Sequence, residues 1–186
     1  MSKFKFIETG IEDLFIIEPS VFGDKRGFFL ETYNFEDFKE AGLNMNFVQD
    51  NFSYSSKGVL RGMHFQHKYP QGKLVRAVQG EIYDVGVDLR KNSKTFGKWF
   101  GVILSEENKR MFYVPEGFAH GFLVISEFAS FAYKCTNYYH PEDEVGFIWN
   151  DSKINIDWHL EKEEIPTLSK KDEILLRFSE IEDKLF

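Results

Sequence analysis

Apolar residues recur along this chain in short runs of four to eight, broken by turn-forming residues, and this rhythm predicts strands far more often than helices. Leu14 to Ile17 is a first short apolar run, closed by Glu18-Pro19, where proline has no N–H to give to a ladder. Gly27 to Tyr33 is rich in strand-forming residues. Asn34 then has the character of an N-cap for a helix from Phe35 to Ala41, with Gly42 as its stop. The middle of the chain is more regular. Leu74 to Val78 and Ile82 to Leu89 flank a Gln79-Gly80-Glu81 hairpin connection. Phe96 to Leu104, Arg110 to Val114, Phe122 to Ile125 and Phe128 to Lys134 follow, with Pro115-Glu116-Gly117 as a turn. Strands so spaced predict an antiparallel sandwich or barrel. Near the end, Ser169-Lys170-Lys171-Asp172 has the form of a capping box, which predicts a terminal helix over Glu173 to Phe178.

Composition narrows the class. With 42% hydrophobic and 28% charged residues in 186, the chain can bury a core, which excludes disorder. No apolar run is long enough for a transmembrane helix, and Met1-Ser2-Lys3-Phe4-Lys5 does not open a signal peptide, so a cytoplasmic location is the default expectation. Cys135 is the only cysteine, which leaves no internal disulfide and no cysteine-based zinc site. The net charge of -7 argues against a nucleic-acid partner but is compatible with a small basic pocket for an anionic ligand. The 21 phenylalanines suit a wide β core and stacking pockets. No linker or repeat interrupts the chain, so one unit is expected over 1–186: an arm to about 50, a barrel over about 51–150 and a C-terminal segment over about 151–186.

Four clusters carry candidate chemistry. In Val59 to Gln66, Arg61 could grip phosphate and His64 could act as a base. Simple strand alternation puts Arg61 with Met63 on one face and His64 with Leu60 and Gly62 on the other, unless a bulge intervenes. Lys73 opens a strand after Gly72, where it can reach a pocket mouth or stand solvated. Pro115-Glu116-Gly117-Phe118-Ala119-His120 has the spacing of a cupin metal motif, with His120 at a strand start. The companion motif lacks its second histidine at Gln66, and two histidines without a matching acid make a poor metal site. Tyr133 is either core packing or a general acid; Tyr138 and Tyr139 either stack a base or fill the core edge. Asp172 needs no role beyond its capping box, but a carboxylate can also orient a histidine. Rossmann, P-loop and nucleophile-elbow patterns are absent.

In order along the chain these pieces resemble one family. Arg26-Gly27-Phe28-Phe29, Gln49-Asp50-Asn51, Gly58 to Gln66, Gln71 to Arg76 and Phe118 to Phe122 are similar to dTDP-4-dehydrorhamnose 3,5-epimerases, as are Tyr133 to Thr136, Gly146 to Asp151, Ile156-Asp157-Trp158 and Leu168 to Asp172. The resemblance spans about residues 4 to 175. It implies a mainly β, cupin-type jelly roll without metal or cofactor, and a homodimer whose subunits exchange arms. It implies a dTDP-4-keto-6-deoxyhexose substrate, carried from the D-gluco to the L-rhamno configuration. His64 would be the base with Asp172 as its partner, Lys73 the cation for the enolate oxygen and Tyr133 the acid on the opposite face. Arg61 would neutralise diphosphate or support the base-side pocket. Arg26, Glu31, Gln49, Asn51, His120, Glu144 and Lys171 match positions that bind the nucleotide sugar, Arg26 and Glu31 from the neighbouring subunit. Phe28 and Tyr139 would contact thymine. The loop His67-Lys68-Tyr69-Pro70 is a residue shorter than in many members. The competing readings are a 3-epimerase or another 4-keto-sugar epimerase, a metal-dependent cupin oxygenase, and a non-catalytic sugar-binding jelly roll.

Overall fold

The structure is a computed structural model that describes residues 3–161 and 163–186. In chain order the strands are β1 (Phe4–Glu8), β2 (Phe15–Pro19), β3 (Phe22–Asp24), β4 (Gly27–Phe29), β5 (Gln49–Ser56), β6 (Leu60–Gln66), β7 (Lys73–Gln79), β8 (Glu81–Asp88), β9 (Trp99–Ser105), β10 (Met111–Val114), β11 (Phe118–Val124), β12 (Phe128–Cys135) and β13 (Glu144–Gly146). Two short helices, α1 (Phe35–Glu40) and α2 (Lys170–Glu173), flank them. The first sheet runs β1-β2-β10-β7-β12-β5 and the second β13-β6-β11-β8-β9, while β3 and β4 form a separate hairpin. Strand pairing within them is antiparallel, and the crossovers between the two sheets give a jelly-roll sandwich.

Three apolar layers hold it together. Between the sheets, Val75, Ala77, Phe112, Val114 and Phe131 meet Ile82, Leu104, Phe118, Phe122 and Val124. On the outer face of the second sheet, Leu60, Met63, Phe65, Val85 and Val87 are covered by Phe147, Trp158, Phe178, Ile181 and Leu185 from the C-terminal segment. On the outer face of the first sheet, Ile17, Leu74 and Met111 are covered by Phe4, Phe38 and Leu43. Because β8 is buried on both faces, it reads in sequence as a nearly continuous apolar run. No helix among the described residues is long and apolar enough to cross a membrane.

The expected helix after Asn34 forms: its side chain accepts from the N–H groups of Glu36 and Asp37, and Gly42 follows at φ 86°. Other boundaries differ for local reasons. The strand expected over Gly27 to Tyr33 ends at Phe29, since the hairpin has no third strand, and the Tyr33 ring packs edge-on against Phe38 and Phe47 instead. The strand expected from Phe96 begins at Trp99: Gly97 sits at φ 74°, and Asp88 gathers Ser93 and Thr95 into a turn. The terminal helix expected over Glu173 to Phe178 is not formed. Leu176 bridges to Phe147 and accepts from the Ile148 N–H, while the Phe178 N–H is taken by the Asp151 carboxylate. Those bonds draw the chain along the sheet, and two short 3-10 turns at Phe178–Glu180 and Glu182–Lys184 complete the cover.

Strand β5 carries no conventional signal. Its aromatic residues Phe52 and Tyr54 point outward and are more than half exposed, whereas Gln49, Asn51 and Ser53 point inward. The alternation is inverted because the inward face borders a polar cavity rather than core.

Candidate active site

That cavity, of about 450 Å³, lies between the two sheets and is closed on one side by β13 and α2. Its geometry begins with a bulge. In the pairing of β6 with β11, His120 opposes His64 but Phe122 opposes Arg61, so β6 carries one extra residue between them. Strict alternation, which separates Arg61 from His64, is therefore overturned: both line the cavity, while Leu60 and Met63 share the outer apolar layer. Gly62 is where the extra residue is absorbed. It sits at φ 124°, and a Cβ there would fall 2.7 Å from Gly121 Cα.

The bulge aims His64 at α2. His64 Nε2 lies 2.5 Å from Asp172 Oδ1, a contact that closes 108 residues of chain. The other ring nitrogen, Nδ1, is 3.7 Å from Glu144 Oε1. Glu144 in turn accepts from Lys171 Nζ at 2.7 Å and from the Tyr139 hydroxyl. Burial pushes the Asp172 carboxyl up, but hydrogen bonds from His64 and Ser169 outweigh it and hold the group below its ordinary value. Glu144 behaves likewise: burial raises it, and Lys171, Tyr139 and His64 bring it below the usual carboxylate range. The bond to Glu144, with burial behind it, pushes the Tyr139 phenol up to about 12.

Across the cavity stand Lys73 at the start of β7 and Tyr133 on β12. Neither the Lys73 ammonium nor the Tyr133 hydroxyl has a hydrogen-bond or ion-pair partner among the described residues, so both are available to a ligand. Burial lowers Lys73, against the opposing pull of Cys135, Glu144 and Asp84. Burial, helped by Cys135 and Glu144, raises Tyr133 and keeps its proton in place at neutral pH. His120, in mid-strand rather than at a strand start, is held through Nε2 by Asp84 Oδ1 at 2.8 Å. The other Asp84 oxygen is buried without a hydrogen-bond partner, and burial raises this carboxyl although His120 and Lys73 oppose the shift.

Gln49, Asn51, Arg61, His120, Tyr139, Glu144 and Lys171 thus line the same cavity as His64, Lys73, Tyr133 and Asp172. Arg26, Glu31 and Phe28 do not line it: Arg26 pairs with Asp24, Glu31 with Lys3, and the exposed Phe28 ring lies under Lys109. Tyr138 is also exposed and outside it. Sequence reasoning missed Ser53, Gln66, Gln71 and Asp84. The last had a signal, a lone acid inside the apolar run of β8. Gln66 is a rim anchor, its amide donating to the carbonyls of Tyr69 and Tyr138, while Asp143 holds the N–H groups of Lys68 and Tyr69. Among the described residues, no group of three His, Cys, Asp or Glu side chains is placed to hold a metal ion.

A histidine backed by a carboxylate, facing a lone ammonium and a protonated phenol, is equipment for moving protons beside a carbonyl. Housed between the sheets of a jelly roll, it defines a proton-transfer site of the isomerase class. Comparison with known proteins names the family. The family model described as dTDP-4-dehydrorhamnose 3,5-epimerase matches residues 8–180. A relative of that name from Methanothermobacter thermautotrophicus is 56% identical, over 92% of this chain and 93% of its own. The crystal structure of dTDP-4-dehydrorhamnose 3,5-epimerase from Elizabethkingia anophelis superposes with a TM-score of 0.91 at 51% identity, covering 99% of this chain and 100% of that one. A Legionella pneumophila dTDP-6-deoxy-D-glucose-3,5-epimerase, solved in complex with dTDP-4-keto-L-rhamnose, gives 0.93 at 51% identity, covering 98% and 97%. The chain belongs to the dTDP-4-dehydrorhamnose 3,5-epimerase family.

Lys73 generates a prediction about stability. Its folded-state pKa is depressed, so between that value and the ordinary lysine range the unfolded chain binds the extra proton and stability rises with pH. At neutral pH the burial of Lys73 therefore costs the folded protein stability. Lys73→Met is expected to raise the melting temperature at pH 7 by about 2–5 °C, with a gain that shrinks toward alkaline pH. Paired thermal melts across pH check both the sign and the trend.

Proposed function

We propose that this chain converts dTDP-4-dehydro-6-deoxy-D-glucose to dTDP-4-dehydro-L-rhamnose by inverting C3′ and C5′ of the sugar, a step toward dTDP-L-rhamnose. Both carbons flank the C4′ ketone, so loss of either proton gives an enolate, and one pocket can serve both. The observation that carries the reading is the gathering, in one cavity, of the His64–Asp172 pair with the unpartnered Lys73 ammonium and Tyr133 hydroxyl.

His64, bonded to Asp172 through Nε2, takes the C–H proton on Nδ1; Asp172 fixes the ring and stabilises the imidazolium that forms. As the C–H bond breaks, its electron pair forms a double bond to C4′ and the carbonyl π pair moves onto the C4′ oxygen, where Lys73 meets the new charge. Tyr133 returns a proton from the opposite face, chiefly at C5′, and its raised pKa keeps that proton on the phenol until the enolate calls for it. Arg61, fixed by Ser55 Oγ at 3.1 Å, neutralises diphosphate. Gln49, Asn51, His120, Glu144 and Lys171 hold the nucleotide sugar, and Tyr139 stacks on thymine. No step calls for a metal or cofactor.

The working form is a homodimer. Phe22, Phe28 and Phe29 on the β3–β4 hairpin, and Phe52, Tyr54 and Phe128 on the outer face of β5 and β12, are exposed aromatic patches on one chain. Exchange of the arm would bury them and carry Arg26, Glu31 and Phe28 to the partner's cavity. Sedimentation is expected to give twice the 21.9 kDa of the chain, and a monomer with full activity would contradict this arrangement.

Proton NMR of the enzyme with dTDP-4-dehydro-6-deoxy-D-glucose in deuterated water tests the reaction. Deuterium is expected at both C3′ and C5′, with the L-rhamno product. Exchange at C3′ alone would make the protein a single epimerase, and exchange at neither would overturn the reading. In the same assay Tyr133→Phe is expected to slow C5′ inversion about ten-fold more than C3′ exchange, and equal effects would remove Tyr133 from the acid role.

A further inference from the structure

The capping serine of α2 does more than end a loop. Ser169 lines the cavity and takes the N-cap position, where its Oγ accepts from the Asp172 N–H at 3.2 Å. The same Oγ donates to Asp172 Oδ2 at 2.7 Å, while Asp172 Oδ1 faces His64. In an ordinary capping box the acid at the third position reaches back to the N-cap N–H. Here the acid is turned toward the cavity and the serine hydroxyl satisfies its second oxygen. Asp172 is only 4% exposed, so without that hydroxyl Oδ2 would lose the partner shown for it and the carboxylate could rotate away from His64.

We infer that Ser169 is a positioning residue for the proposed base: its hydroxyl pins the rotation of Asp172 so that one oxygen stays on His64. This rests on the reading of His64 and Asp172 given above. The lowered pKa of Asp172, to which the Ser169 bond contributes, agrees with it. The titratable groups around the pair are Glu144 from β13, itself bonded to Lys171 of α2, with Lys73 of β7, His120 of β11 and Tyr133 of β12 on the cavity walls. None of these lies within hydrogen-bonding distance of Asp172, so the serine and His64 are its side-chain partners among the described residues.

The test is steady-state kinetics across pH for Ser169→Ala, Ser169→Thr and Ser169→Asp, with His64→Asn as the control. Ser169→Ala is expected to lower kcat about ten-fold with KM changed less than about two-fold. Because the hydroxyl acts on the base only through Asp172, the pH profile of kcat/KM is expected to shift together with the fall in kcat. Ser169→Thr, which keeps the hydroxyl, is expected to regain most of the lost kcat. Ser169→Asp caps a helix as well as serine does but has no proton to donate, so it is expected to remain as impaired as Ser169→Ala. This variant separates positioning from helix capping even where alanine loosens the helix. Parental kcat and pH profile in Ser169→Ala, or recovery of parental kcat in Ser169→Asp, would overturn the inference. A dead His64→Asn beside a parental Ser169→Ala sinks the serine role alone; parental turnover in His64→Asn removes the proposed base, and this inference with it.

Discussion

The 2.5 Å contact between His64 and Asp172 is the constraint around which the molecule is arranged, because it joins a strand in the sandwich to a one-turn helix 108 residues away. Two separate devices make it possible. The bulge at Gly62 rotates the end of β6 so that Arg61 and His64 share the cavity face. The C-terminal segment is laid over the second sheet by Phe147, Phe178, Ile181 and Leu185, and is stitched down by the Val59–Thr167 and Phe147–Leu176 bridges. Apolar burial on the outside of the sheet thus sets a carboxylate on the inside. A loss of packing around Phe178 would be felt at the His64–Asp172 contact without any change in cavity residues.

The same arrangement gathers basic groups in the cavity of an acidic chain. Lys73, Arg61 and Lys171 are concentrated at the cavity although the chain carries a net charge of -7. The acids that accompany them are each committed: Asp172 to His64 and Ser169, Glu144 to Lys171 and Tyr139, Asp84 to His120. Of the cation and phenol groups that line the cavity, those left without a hydrogen-bond or ion-pair partner among the described residues are Lys73 and Tyr133, one amine and one proton donor. That division, some charges held and others kept open, gives the cavity its direction.

Much of this was legible in the sequence, and the rest was hidden for identifiable reasons. The strands from β7 to β12 follow their apolar runs because both faces of β8, β10 and β11 are buried. β5 was invisible because its polar residues point inward and its aromatic ones outward. The face shared by Arg61 and His64 could not be read from alternation, since a bulge is a property of two paired strands and not of one. The motif resemblance supplied the candidate residues, but it could not show that Asp84 holds His120 or that Ser169 holds Asp172. Those are contacts of side chains whose local roles, a strand interior and a helix cap, already sufficed to explain them. The terminal helix failed for a related reason: Leu176 and Phe178 have helical spacing partners in sequence, but their backbone groups are claimed by Ile148 and Asp151.

The most direct test of the central claim is the rate of deuterium incorporation at C3′ and C5′ by Asp172→Asn, measured beside its affinity for dTDP. If the aspartate makes His64 a base, exchange falls about a hundred-fold or more at both carbons while dTDP binds nearly as before. Parental exchange at either carbon, with the nucleotide bound, would contradict the account.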